Sequence, residues 1–129
     1  MRIHHIGYLV RKLDRAAARF KQLGFSVVQE AVYDEYRKID ILFMGKDGYI
    51  IELIAATSQE AVVSGLYKKF RNAPYHLCYG TSSFDEELKQ LCENGYVQID
   101  QPHPAPAFFG RRVVFLLCSD IGMIELVEE

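Results

Sequence analysis

The sequence predicts an α+β fold built from two copies of one β-α-β-β-β module. Three observations predict it. Strand-like alternations and one amphipathic helix follow in the same order in each half. A stop glycine followed by an aromatic closes the helix both times, as Gly24-Phe25 and Gly95-Tyr96. Equivalent residues also keep a nearly constant offset. His5 and His76, Leu13 and Phe84, and Gly24 and Gly95 are each 71 positions apart, Phe43 and Phe115 are 72 apart, and Glu52 and Glu125 are 73 apart. One or two residues of loop insertion account for the drift. The 129 residues thus read as a single domain, 1–129, made of a module over 1–54, a linker over 55–74 and a module over 75–129.

Ile3 to Val10 is rich in β-formers and aromatics and reads as a strand. Leu13 to Leu23 reads as a helix, because Leu13, Ala16, Ala17, Phe20 and Leu23 recur at three and four residues. Phe25 to Val32 and Lys38 to Met44 are strands, and Asp47-Gly48 turns the chain into a fourth over Tyr49 to Ile54. In the linker, Val62, Leu66 and Phe70 suggest a short helix beside the basic cluster Lys68, Lys69 and Arg71. The second module repeats the order: strand Tyr75 to Tyr79, helix Phe84 to Glu93, then strands Tyr96 to Ile99, Arg112 to Leu117 and Met123 to Val127. Ser83 and Glu86 have the spacing of a capping box. The run Gln101-Pro-His-Pro-Ala-Pro-Ala107 reads as a loop, since three prolines in five residues exclude a helix or a central strand.

Composition narrows the function. Half the residues are hydrophobic and a quarter charged, which excludes a disordered chain. Fifteen basic against seventeen acidic residues leave a formal charge of −2, so no nucleic-acid or membrane partner is expected. No apolar run approaches the ~20 residues of a membrane helix. The first residues carry no signal-peptide core, so the expected location is cytoplasmic. The three cysteines, Cys78, Cys92 and Cys118, form no paired spacing and read as thiols in a reducing compartment.

The chemistry lies in four strand residues. Side chains alternate along a strand, so Ile6, Tyr8 and Val10 share one face and His5 takes the other. Glu52 opposes Ile51 and Leu53, His76 opposes Leu77 and Tyr79, and Glu125 opposes Ile124 and Leu126. Each strand therefore has an apolar face for the helices and one metal-capable side chain on the other face. A carboxylate buried unpaired in such a strand is costly. Convergence of His5, Glu52, His76 and Glu125 on a divalent cation offsets that cost. Imidazole and carboxylate suit zinc, nickel, cobalt, iron or manganese. Four protein ligands leave one or two positions open for water or substrate.

The ordered set His5-Ile-Gly-Tyr-Leu-Val10, Leu13, Leu23-Gly24-Phe25, Ile51-Glu52-Leu53, His76-Leu-Cys78 and Ile124-Glu125-Leu126 resembles the vicinal oxygen chelate (glyoxalase, bleomycin resistance and dioxygenase) superfamily. The resemblance covers nearly the whole chain. It implies paired modules whose mixed sheets curl around a central metal, with ligands at His5, Glu52, His76 and Glu125, often in a homodimer. The metal, one divalent ion such as Co, Ni, Zn or Mn, is not specified. Within the superfamily the chain looks most like the methylmalonyl-CoA epimerase branch. Glu52 departs from it, standing where many epimerases have glutamine and glyoxalases have glutamate.

Both branches remove a proton next to a carbonyl through an enediolate, and a carboxylate must lie within hydrogen-bond reach to move it. The resemblance implies Glu125 as ligand and general base and Glu35 as a second acid/base. Arg37, Arg111 and Arg112 open the third strand of each module and could meet a carboxylate or phosphate by bidentate bonds. Phe108 would close the pocket. The leading expectation is epimerisation of a 2-substituted acyl-CoA such as methylmalonyl-CoA. The alternatives are a lactoylglutathione lyase acting on a thiol hemithioacetal of methylglyoxal, and a non-catalytic binding protein of the resistance type.

Overall fold

The computed structural model describes residues Met1–Glu129. Its elements in chain order are β1 (Arg2–Leu9), α1 (Leu13–Gln22), β2 (Ser26–Asp34), β3 (Ile39–Lys46), β4 (Tyr49–Ala56), α2 (Val62–Phe70), β5 (Ala73–Thr81), α3 (Phe84–Glu93), β6 (Val97–Gln98), β7 (His103–Pro104), β8 (Arg112–Cys118) and β9 (Gly122–Glu128). The fold class is α+β with three helices and open sheets that mix parallel and antiparallel pairs. No helix is long and apolar enough to cross a membrane. The chain forms two compact units, His5–Tyr75 and Met1–His4 with His76–Glu129.

In the unit His5–Tyr75, β2 pairs antiparallel with β3, β3 antiparallel with β4, and β4 parallel with β1. α1 covers one face. Its buried Ala17, flanked by Leu13, Ala16 and Phe20, packs on Leu42, Met44, Ile51 and Leu53. The helix ends in a Schellman motif. Phe25 N–H reaches Phe20 O at 3.1 Å and Gly24 N–H reaches Lys21 O at 3.0 Å, with Gly24 at φ +94°.

The other unit repeats this construction. β5 runs parallel to β9, β9 antiparallel to β8, and β8 antiparallel to β6 and β7. Phe84, Leu88 and Leu91 of α3 pack on Val114, Leu116, Ile124 and Leu126. The same glycine stop recurs: Tyr96 N–H bonds Leu91 O, and Gly95 N–H bonds Cys92 O, each at 3.1 Å. Gly95 has φ +94°, and a Cβ there would meet nothing, so backbone conformation rather than space demands glycine.

Three local expectations are corrected. The Ser83–Glu86 capping box does not form: Ser83 makes no side-chain cap bond, and its N–H instead donates to Thr81 Oγ1 at 3.0 Å. β6 shortens to two residues, because Asp100 Oδ1 takes the Phe115 N–H at 3.4 Å in place of a further strand carbonyl. The proline-rich run is not wholly a loop. His103–Pro104 pairs with Arg112 and Val113 at the sheet edge, and Pro106–Phe108 makes a 3-10 turn. The linker helix forms as α2.

Candidate functional site

Each unit carries a buried histidine and glutamate at repeat-equivalent positions. In His5–Tyr75, strand register puts Glu52 opposite Gly7 on β1 and opposite Phe43 on β3. His5 is two residues before Gly7 and shares its face. His5 is 1 % exposed and Glu52 2 %. His5 Nε2 lies 3.4 Å from Glu52 Oε1. Phe43 stands edge-on to the His5 ring, with centroids 5.4 Å apart and planes at 76°.

The second unit reproduces the arrangement. Glu125 lies opposite Cys78 on β5 and opposite Phe115 on β8. His76 is two residues before Cys78. His76 and Glu125 are 5 % and 3 % exposed. A ring nitrogen of His76 and a carboxylate oxygen of Glu125 lie within 4.8 Å. Phe115 is edge-on to His76, at 5.1 Å and 82°. The motif in both units is therefore a histidine, a glutamate across a parallel pair, and a phenylalanine across an antiparallel one. Each phenylalanine makes a T-shaped contact with its imidazole, beside a histidine and a glutamate that are both buried. The two versions differ where Gly7 corresponds to the buried Cys78.

The other expected site residues are distributed differently. Glu35 is exposed, in the turn between β2 and β3. Its neighbour Asp34 is buried and accepts hydrogen bonds from Arg37 N–H and Arg37 Nη1, each at 2.9 Å. Arg37 thus braces the turn that carries Glu35. Arg111 Nε donates to Phe108 O at 3.0 Å and closes the 3-10 turn. Phe108 is buried against the edge of His4, with centroids 5.4 Å apart.

Arg112, expected among the substrate contacts, is a cross-strand clamp in this structure. Its Nη1 and Nη2 donate to Asp85 at 3.0 and 3.1 Å, and its Nε and Nη2 donate to Glu128 at 3.1 and 2.8 Å. The guanidinium lies 4.6 Å from the Phe84 ring centroid. The Arg112 hydrogen bonds hold both carboxyls below their ordinary range, and the two carboxylates push the arginine up. The alternation of β8 gave no sign of these partners, which lie on α3 and β9. Sequence reading also passed over Phe43 and Phe115 as site residues, although their 72-residue offset marks them as a repeat pair.

Residues 4–115 match the Glyoxalase/Bleomycin resistance protein/Dioxygenase superfamily. The chain belongs to that superfamily. The matched stretch contains His5, Glu52 and His76. Among curated relatives, mitochondrial methylmalonyl-CoA epimerase of Homo sapiens is 23 % identical over 128 residues, covering 98 % of this chain and 72 % of that protein. Methylmalonyl-CoA epimerase from Mycobacterium tuberculosis superposes with a TM-score of 0.84 at 23 % identity, over 98 % of this chain and 86 % of that one. A variant of the Streptomyces coelicolor epimerase, in complex with 2-nitronate-propionyl-CoA, gives 0.86 at 22 % identity, over 100 % and 94 %. At these identities the superpositions establish the superfamily fold.

Proposed function

We propose that the chain is a divalent-metal-dependent epimerase acting on a 2-substituted acyl-CoA such as methylmalonyl-CoA, with His5, Glu52, His76 and Glu125 as the protein ligands of one cation. The observation that carries this reading is the duplicated buried histidine–glutamate pair. Two carboxylates and two imidazoles withdrawn from water need compensation, and a divalent ion supplies it. The donor set fits: imidazole and carboxylate suit Co, Ni, Zn or Mn. The relatives named as methylmalonyl-CoA epimerases favour the same substrate class.

When bound, the cation polarises the substrate carbonyl and so acidifies the adjacent C–H. Glu125 takes that proton on a carboxylate oxygen and afterwards holds it. Phe43 and Phe115 keep the imidazoles oriented and the site dry. Glu35, on the turn braced by Arg37 and Asp34, returns a proton from the opposite face. Arg111 and Phe108 shape the wall beside the acyl group.

The test is proton exchange at C2 of methylmalonyl-CoA in D2O, with metal-loaded protein. Deuterium incorporation together with the opposite epimer is expected. Glu125→Gln should slow both by about 10²–10⁴-fold. Glu35→Gln should lose epimerisation while retaining exchange of one epimer. No exchange with any of the four metals sinks the epimerase reading. Turnover of a methylglyoxal hemithioacetal instead would favour the lyase, the reading that the glutamate at position 52 suggests.

A further inference from the structure

Between β2 and β3 the chain makes the turn 35–38, and Lys38 closes it in the left-handed region, at φ +57°. A side chain there costs free energy that glycine would not. Such a residue keeps its conformation only where the surroundings over-determine it. Two contacts do so at Lys38. Its carbonyl accepts the Thr57 N–H at 3.0 Å. Its ammonium pairs with the Glu60 carboxylate. The segment that receives these contacts is itself ordered. Ser58 Oγ accepts the Glu60 N–H at 3.1 Å, and Ser58 O accepts the Ala61 N–H at 3.2 Å. Ala61 is buried and leads into α2.

The other end of the turn is anchored by the buried Asp34, through the Arg37 N–H and guanidinium. Glu35 is exposed and lies between the two anchors, so the turn's backbone decides where its carboxylate stands. The Asp34 anchor is local, because its partners belong to the turn itself. The Lys38 anchor is not. It reaches 22 residues along the chain, to the segment that follows β4. It therefore ties the turn that carries Glu35 to the strand that carries Glu52.

We propose that Lys38 is a positioning residue for Glu35, its pair with Glu60 latching the turn in the conformation from which Glu35 returns the proton. The proposal rests on the epimerase reading and adds to it a residue that touches no substrate. The left-handed backbone gives the turn two conformations. With the latch closed, Lys38 stays at positive φ. With the ion pair removed, strain favours relaxation to negative φ, and the turn moves with it. The Lys38 side chain is 42 % exposed and that of Glu60 75 %, so the pair adds little to global stability. Its effect is confined to the turn, where a small bias suffices to shift an equilibrium between two local states. Proton removal by Glu125 does not pass through this turn.

The test reads two quantities on the zinc-loaded full chain, for Lys38→Gln, Glu60→Gln and the reversed pair Lys38→Glu/Glu60→Lys. The first is amide hydrogen exchange by NMR. The Thr57 amide should exchange roughly two- to fivefold faster in each single variant, the range an exposed ion pair supports. The Val10 amide, bonded to Ile54 O at 3.0 Å in the same unit, should not change. The reversed pair should restore Thr57 protection. The second is the rate of epimerisation of methylmalonyl-CoA relative to deuterium exchange at C2. That ratio should fall by a similar factor in the single variants and recover in the reversed pair. Unchanged Thr57 protection in the single variants overturns the latch, and so does an equal loss at Thr57 and Val10, which marks a general loss of stability. A freed Thr57 amide with an unchanged ratio overturns the role toward Glu35. A wild type that neither exchanges nor epimerises the substrate removes the epimerase reading, and the part of Lys38 in proton return goes with it. The Thr57 amide then still decides whether the pair holds the turn.

Discussion

Glu52→Gln is the most informative single change. The amide keeps the carboxylate's shape and removes its charge. In metal-free protein the Glu52 carboxylate is buried 3.4 Å from His5, and desolvating such an ion costs several kcal/mol before its partners offset it. The substitution should therefore leave the metal-free Tm unchanged or raise it. With metal the sign reverses. A ligand present at a hundred times its Kd stabilises by about 2.7 kcal/mol. An unfolding entropy of about 2.1 cal/mol/K per residue, over 129 residues, makes that a rise of about 10 °C. Outer-shell changes alone weaken metal sites by up to about a hundredfold, so a lost ligand should cost at least that. The same metal concentration then equals Kd and stabilises by only about 0.4 kcal/mol, a rise of about 1.5 °C. Differential scanning calorimetry of metal-stripped protein, with and without Zn, Co, Ni or Mn, reads both quantities. Equal metal-induced rises in wild type and variant, or no rise in either, would refute the argument that Glu52 is a ligand.

Two further outcomes follow from the fold. Asp85 and Glu128 have carboxyls held below their ordinary values of 3.8 and 4.5 by Arg112. A lowered folded-state value contributes stability above the ordinary value and loses it as pH falls through the lowered one. Wild type should thus lose stability as pH drops below those values, and Arg112→Gln should show a flatter acid limb. The effect should be small and salt-sensitive because Asp85 is 76 % exposed and Arg112 and Glu128 are each about one-third exposed; superimposable Tm–pH curves would refute it. In urea unfolding, Leu53→Ala removes a fully buried side chain and should cost about 2–5 kcal/mol. Leu117→Ala, at a side chain 45 % exposed, should stay within about 0.5 kcal/mol. Similar costs at the two positions would contradict the assignment of the core to the helix-facing side of the sheets.

The module order, both core helices and all four buried histidine and glutamate positions were legible from the chain alone. Each rests on a local rule. Helix periodicity marked Leu13, Ala17 and Phe20, strand alternation put His5 opposite Ile6, and the 71-residue offset tied each element to its copy. The glycine stops were legible for the same reason, since they answer a single backbone angle. What only the tertiary structure decided are the partnerships between residues far apart in sequence. That Phe43 stands against His5, and Phe115 against His76, depends on register across antiparallel pairs, and one residue of slip would put the rings on the other face. That Arg112 is held by Asp85 and Glu128 depends on α3 and β9 reaching one end of β8 together. Ser83 and Glu86 had the spacing of a capping box, but Thr81 claimed the Ser83 N–H. Local patterns fix which face a side chain takes, whereas its partner is set by how separate strands and helices come together.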